Sequence, residues 1–298
     1  MKVLKGRSMR ERKGVSRRTF AILMESPTII ILTILSIYPL VYTLYYSLTN
    51  YYYISKDKMS FVGLKNYIDL WKNPYFIRAV INTIKFTIAC TFLETALGVA
   101  VAVYVNGLKY FKKTMRTIIL LPNLLPPVTA ALIWKIMLSN NYGIINEFLR
   151  FLHLPVYNWF FDTRTAMPVI ILIDVWQCMP FVFLLIYASL QTVPQTLYEA
   201  AKIDGANSWH EFRYITVPCV SGAIGLCLLL RTIDSFRMFD KVNILTGGGP
   251  ANTTSTITQF IYTYGIKSLK FGYGSAGAVV MAAIVLLLSV QYIKKSMK

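Results

Sequence analysis

Long apolar windows separated by short polar and basic stretches set the pattern of this chain. The segment 26–55 contains no charged residue, and a helix of about 20 apolar residues crosses the hydrocarbon core of a bilayer. Six such segments are legible, at 26–48, 83–104, 117–138, 166–190, 214–230 and 273–293, with the fifth expected to continue through 231–239. The pattern therefore predicts an all-α, polytopic membrane protein with six transmembrane helices. The first span ends in a belt of tyrosines, Tyr45, Tyr46, Tyr51, Tyr52 and Tyr53, as the membrane interface favours. The third is interrupted by Pro122, Pro126 and Pro127. Lost backbone donors are tolerated in lipid only where protein or a water cavity satisfies the freed carbonyls. That break is either a kink packed on a neighbour or a hinge lining a pathway. Gly98 with Ala102, and Gly274, Ala278 and Ala282, recur at four-residue spacing, which lets helices approach closely.

Composition agrees with this pattern. Of 298 residues, 55% are apolar and 15% charged, against about 25% charged in soluble domains. The formal charge of +18 would suit nucleic acid only as a basic face on a folded module. Here Lys and Arg flank the spans instead, so no nucleic-acid partner is expected. Segments 1–19, 106–116, 191–216 and 294–298 hold 17 Lys and Arg in 61 residues, whereas 50–79, 139–165 and 231–273 hold 12 in 100. The denser set marks the cytoplasmic side, which predicts N-in, C-in. Residues 1–19 read as a basic cytoplasmic tail rather than a cleaved signal, and 20–298 as the transmembrane domain. Cys90, Cys178, Cys219 and Cys227 lie in apolar stretches without C-x-x-C spacing and read as small buried hydrophobes.

The internal segment 191–216 is poor in basic residues for its side. From Pro194 onward it reads as a short helix, an Asp204-Gly205 turn and a second helix capped by Asn207 or Ser208, with Glu211 in its first turn. The run Glu199-Ala200-Ala201 … Asp204-Gly205-Ala206, followed by Phe212, Ile215 and Pro218, resembles the coupling-loop signature of ABC importer membrane subunits. The segments Phe61-Val62-Gly63-Leu64-Lys65-Asn66-Tyr67, Asn82-Thr83, Tyr142-Gly143-Ile144-Ile145-Asn146 and Leu245-Thr246-Gly247-Gly248-Gly249-Pro250 are similar to those of carbohydrate importers of the maltose and glycerol-3-phosphate type. They are most like the first of the two permeases, in a shorter form without a large external insertion. The resemblance runs from about Ala21 to Tyr292.

It implies the type I ABC importer fold and a bacterial cytoplasmic membrane. It also implies a related second permease, two ATP-binding subunits that carry ATP and Mg, and an extracytoplasmic sugar-binding protein. Glu199, Ala200, Ala201, Asp204, Gly205, Ala206, Phe212 and Pro218 would then form the contact with the ATPase. The Gly247-Gly248-Gly249 run lacks a following Gly-Lys-Ser/Thr and is no P-loop, so ATP chemistry is expected of a partner. His153 and His210 are too isolated for metal ligands and no Ser-His-Asp or Cys-His arrangement is visible, so no cofactor, metal or catalytic centre is expected in the chain itself.

Ionisable residues at membrane depth mark a pathway or a paired site. Asp174 and Gln177, three residues apart on one helix face, join Trp176 and Asn82 as candidates for a sugar pathway. The other reading pairs Asp174 with Lys85 or Lys135. Arg231 and Asp234 read as a local ion pair. A self-sufficient, ion-coupled transporter using Asp174 and Glu94 is the alternative function class.

Overall fold

The computed structural model describes residues 17–55 and 58–296. Thirteen α-helices are present among them: α1 (Arg17–Ser47), α2 (Lys65–Lys72), α3 (Pro74–Gly107), α4 (Lys112–Leu124), α5 (Pro127–Met137), α6 (Ile144–Phe151), α7 (Ala166–Leu190), α8 (Gln195–Ile203), α9 (Ser208–Glu211), α10 (Val217–Phe236), α11 (Asp240–Leu245), α12 (Ile257–Ile261) and α13 (Phe271–Ser296). No strand occurs among the described residues, only one isolated bridge between Thr49 and Phe61. Residues 1–16 of the basic tail lie outside the described residues. Of the described residues, 17–45, most of α1, form one unit and those from 46 onward form a second.

Among the described residues, five helical stretches are apolar and long enough to cross a membrane: Met24–Ser47, Pro74–Gly107, Ala166–Leu190, Ser208–Leu245 and Phe271–Tyr292. The third expected span differs from a single helix. It is the pair α4 and α5, bent by 95°, and counts as a sixth crossing only if the pair is one span. The cause is local. Leu125 precedes a proline and is extended (φ −76°, ψ 134°), and Pro126 follows at φ −56°, ψ 142°, as pre-proline sterics require.

Helix α3 starts nine residues before the expected 83. Pro74 occupies its first turn and the Asn73 side chain accepts from the Tyr75 amide at 2.9 Å, a cap with a pre-set φ. The fifth expected span is continuous helix over 208–236, with a π-helical turn at Phe212–Thr216. Pro218 would clash with the carbonyl four residues back in a regular helix. The wider turn, closed by the Val217 amide on the Phe212 carbonyl, relieves it.

Helices α3, α7 and α10 form the centre of the bundle. Gly98 of α3 abuts Val182 of α7 so closely that a Cβ there would lie 2.6 Å from a Val182 methyl. Val99, Ala102, Val182, Phe183, Ile186, Val220 and Cys227 close this part of the core. Gly274 of α13 plays the same part, since its Cβ would meet the Gly265 Cα at 2.5 Å. The rest of the expected small-residue stripe is not buried: Ala278 is half-buried and Ala282 exposed. Cys90 and Cys227 are buried as expected and Cys178 is half-buried, whereas Cys219 is exposed on α10.

The bundle gathers the connecting segments into two sets. At one end Tyr53 N–H bonds the Leu269 carbonyl (3.1 Å), Arg78 the Ala251 carbonyl (3.1 Å), and Lys135 the Ile244 carbonyl (2.6 Å). At the other, Gln191 donates to Asn106 (2.9 Å) and Arg116 lies over the Tyr187 ring. The Tyr53–Leu269 and Arg78–Ala251 contacts join segments of the less basic set, and the Gln191–Asn106 contact joins two of the more basic set.

Candidate functional site

Four buried charges meet where α3, α7, α10 and α11 come together. Arg231 donates to Glu94 through Nε (2.5 Å) and Nη2 (3.2 Å), lies 3.8 Å from Asp174 and 3.5 Å from Asp234. Lys241 donates to Asp174. Glu94 and Asp174 are fully buried, and Lys241 and Arg231 nearly so. Two carboxylates against two cations balance, and buried charges persist only when paired and hydrogen-bonded. The Arg231 fork suits Glu94 because guanidinium and carboxylate match as planar partners.

The cluster forms one wall of a cavity of about 290 Å³, which Asn123 and Pro127 at the α4–α5 bend close from the other side. Gln177 lines it and donates to the Leu125 carbonyl at 2.7 Å, which satisfies a carbonyl freed by the proline break. Asp174 Oδ2 and Gln177 Oε1 are buried acceptors without a hydrogen bond. They leave the cavity with acceptor capacity beside the Arg and Lys donors. The proline break both packs on the neighbouring helix α7 and borders a polar space, so it fits the kink and the hinge readings alike.

Of the four pathway candidates, the structure brings only Asp174 and Gln177 together. Trp176, on the opposite side of α7, packs edge-on to Trp134 with centroids 5.4 Å apart and does not line the cavity. Asn82 is a clamp: its amide donates to the Asn252 and Ser255 carbonyls, both at 3.0 Å, and fastens the segment after α11 to α3. Asp174 pairs with Lys241 and Arg231 instead of Lys85, which is exposed, or Lys135, which bonds a backbone carbonyl. The Arg231–Asp234 pair exists but is the outer fringe of the larger cluster. Lys241 escaped the sequence reading because it follows the apolar span. The charge run Arg231, Asp234, Arg237, Asp240, Lys241 was the available signal.

The second site is the α8–α9 knob. Helix α8 ends in a Schellman motif. The Gly205 amide bonds the Lys202 carbonyl (3.1 Å), the Ala206 amide bonds the Ala201 carbonyl (2.9 Å), and Gly205 sits at φ +75°, a conformation that favours glycine. Asn207 then caps α9, accepting from the His210 amide at 2.9 Å. Tyr198 and Thr216 hydroxyls meet at 3.1 Å and tie α8 to the π-helical turn. Glu199, Ala200, Asp204, Gly205 and Pro218 are exposed, and Ala201, Ala206 and Phe212 half-buried. Phe212 packs into the core cluster around Val99 and Val182, which roots the knob in the bundle. Ile203 is 87% and Trp209 63% exposed, a large apolar tip on a rigid base.

The described helices thus combine apolar spans, a broken pair at α4–α5, a buried charge cluster and an exposed knob on a connecting segment. The family model for the binding-protein-dependent transport system inner membrane component matches residues 94–293. The chain belongs to that family. It is 34% identical over 272 residues (91% of this chain, 92% of the other) to the trehalose/maltose transport system permease protein MalF of Thermococcus litoralis. It is also 34% identical over 280 residues (93% and 90%) to the sulfoquinovosyl glycerol transport system permease protein SmoG of Agrobacterium fabrum. Among solved structures, a chain of the bacterial alginate ABC transporter in complex with an alginate pentasaccharide-bound periplasmic protein matches with TM-score 0.82, 21% identity and 93% coverage of both chains. The relatives are permease subunits, the non-catalytic components of such transporters.

Proposed function

We propose that this chain is one membrane half of an ATP-driven carbohydrate importer in a bacterial cytoplasmic membrane. A related second permease completes the pathway, an extracytoplasmic binding protein delivers the sugar, and two ATPase subunits that hold ATP and Mg drive the cycle. The observation that carries this reading is the knob. The Glu199–Ala206 segment folds into a capped, rigid turn with an exposed apolar tip, rooted through Phe212 in the helices that would move. Glu199 and Asp204 supply the polar rim of the ATPase contact, Ala200 and Ala201 its flat face, and Gly205 with Ala206 its turn, while Pro218 sets the π-helical root. Rigid-body rocking of this half against the other then alternates access.

Asp174 and Gln177 are the pathway residues of this reading, offering acceptors to sugar hydroxyls. An ion-coupled mechanism through Glu94 and Asp174 is disfavoured because Arg231 and Lys241 already balance the charge of both carboxylates.

The test is uptake of labelled maltose and trehalose by proteoliposomes holding the assembled complex, its binding protein and internal ATP. At Gly205 no atom lies within 4 Å of a built Cβ. Gly205→Ala therefore carries only a left-handed backbone penalty of about 1–2 kcal/mol, and Gly205→Val, being β-branched, a larger one. Gly205→Ala should retain ATP-dependent uptake and Gly205→Val should lose it while the chain stays folded in the membrane. Full uptake by Gly205→Val, or uptake that an ionophore abolishes and ATP depletion leaves intact, would overturn the reading.

A further inference from the structure

A second pocket, separate from the charge cluster, opens at the end of the bundle opposite the knob. It has a volume of about 620 Å³ and lies between the α5–α6 turn, the segment 158–161 and α11 with its glycine run. Its size falls within the range of small-molecule sites, about 300–1,000 Å³. Its lining has two parts. Asn141, Asn158 and Asn243 present side-chain amides, and Tyr142, Trp159 and Phe161 present rings. Among the described residues these three amides make no side-chain hydrogen bond, although each carries donors and an acceptor. Phe161 is 82% and Tyr142 71% exposed, so packing does not account for them.

The walls are fixed in advance. Asn146, fully buried, donates to the Ser139 and Tyr157 carbonyls (3.3 and 3.2 Å) and accepts from the Trp159 indole (2.9 Å). It thereby staples two of the three walls together. The third wall is held by Lys135 on the Ile244 carbonyl and by Thr254 donating to the Gly249 carbonyl (2.6 Å). Lys135 is the one charged residue of the lining, and its ammonium is turned to that carbonyl. The remaining polar groups are neutral.

Neutral amides beside aromatic faces suit a ligand with hydroxyls at its edge and C–H groups on its face. We infer that this pocket is a carbohydrate-binding subsite at the mouth of the permease, which takes one or two neutral sugar rings before they enter the bundle. Its placement at the mouth rests on the importer reading above; the sugar chemistry rests on the pocket alone. The amides would bond ring hydroxyls, and Phe161 and Tyr142 would cover a ring face.

The experiment is saturation-transfer NMR on the full permease–ATPase complex in nanodiscs, without binding protein, using maltose, trehalose and maltotriose at millimolar concentration as probes. The wild type should transfer saturation to the ring protons of at least one probe. Asn141→Ala/Phe161→Ala, both with exposed side chains that make no hydrogen bond among the described residues, and separately Asn243→Ala should weaken that binding about tenfold, the loss expected for one or two hydrogen bonds and a ring contact. No transfer from any probe, or transfer unchanged in both variants, would overturn the inference. Variants that keep transfer but weaken docking of the binding protein would assign the pocket to a protein contact and also overturn it. Uptake by the wild-type complex is measured in parallel, so a failure of the importer reading appears there and not in the NMR.

Discussion

Arg231→Met should be among the most damaging single changes in the chain. Arg231 is 7% exposed and holds Glu94, which has no exposure, by two hydrogen bonds, with Asp174 at 3.8 Å. Removing the guanidinium leaves two buried carboxylates facing Lys241 alone. Two unit charges about 4 Å apart interact by about 4 kcal/mol at an effective dielectric of about 20, and breaking a buried pair by deleting one partner costs about 3–5 kcal/mol. The two estimates agree. Asp234 adds little, because its side chain is half-exposed and exposed pairs contribute about 0–1 kcal/mol. The assay is thermal unfolding of the purified protein in detergent, followed by tryptophan fluorescence, where the loss corresponds to a fall on the order of 10 °C. Replacing both partners, Arg231→Met with Glu94→Leu, should restore more than half of that, since apolar substitution of a whole buried pair is often neutral. Arg231→Lys should fall between, keeping the charge but losing the fork. A single Arg231→Met variant that melts with the wild type, or a double variant worse than the single, would refute the reasoning.

Two further outcomes follow from contacts elsewhere in the bundle. Gly98→Ala places a Cβ 2.6 Å from Val182 and should destabilise by about 1–3 kcal/mol through overpacking; adding Val182→Ala should recover most of it in the same melting assay. Asn82→Ala removes the donor shared by the Asn252 and Ser255 carbonyls, costs about 1–3 kcal/mol, and should raise amide exchange in 250–256 while exchange in α7 stays unchanged.

The apolar windows located α1, α3, α7, α10 and α13 because a membrane span must be apolar over its whole length, a constraint that leaves a long signal. Helix ends were less legible. Helix α3 begins at Pro74 because a local Asn73 cap extends it beyond the apolar stretch. The turn at Asp204-Gly205 was readable from its residues alone, since left-handed backbone has a short list of tolerant residue types. The Arg231–Glu94 and Asp174–Lys241 pairs were not, because partners 137 and 67 residues apart meet only through the packing of four helices. Trp176 misled for a related reason: two residues along a helix is a turn of about 200°, which carries it away from the face of Asp174. Asn82 had the polarity of a pathway residue but spends it on backbone carbonyls, a distinction that only the fold reveals.

The central claim, that this chain is the membrane half of an ATP-driven importer gripped through the α8–α9 knob, is tested most directly by affinity purification of the tagged chain in mild detergent with mass spectrometry of its partners. The account predicts recovery of a second permease together with an ATPase subunit, and a Glu199→Lys variant that keeps the permease and loses the ATPase. Recovery of the chain alone, active in liposomes without ATP, would contradict it.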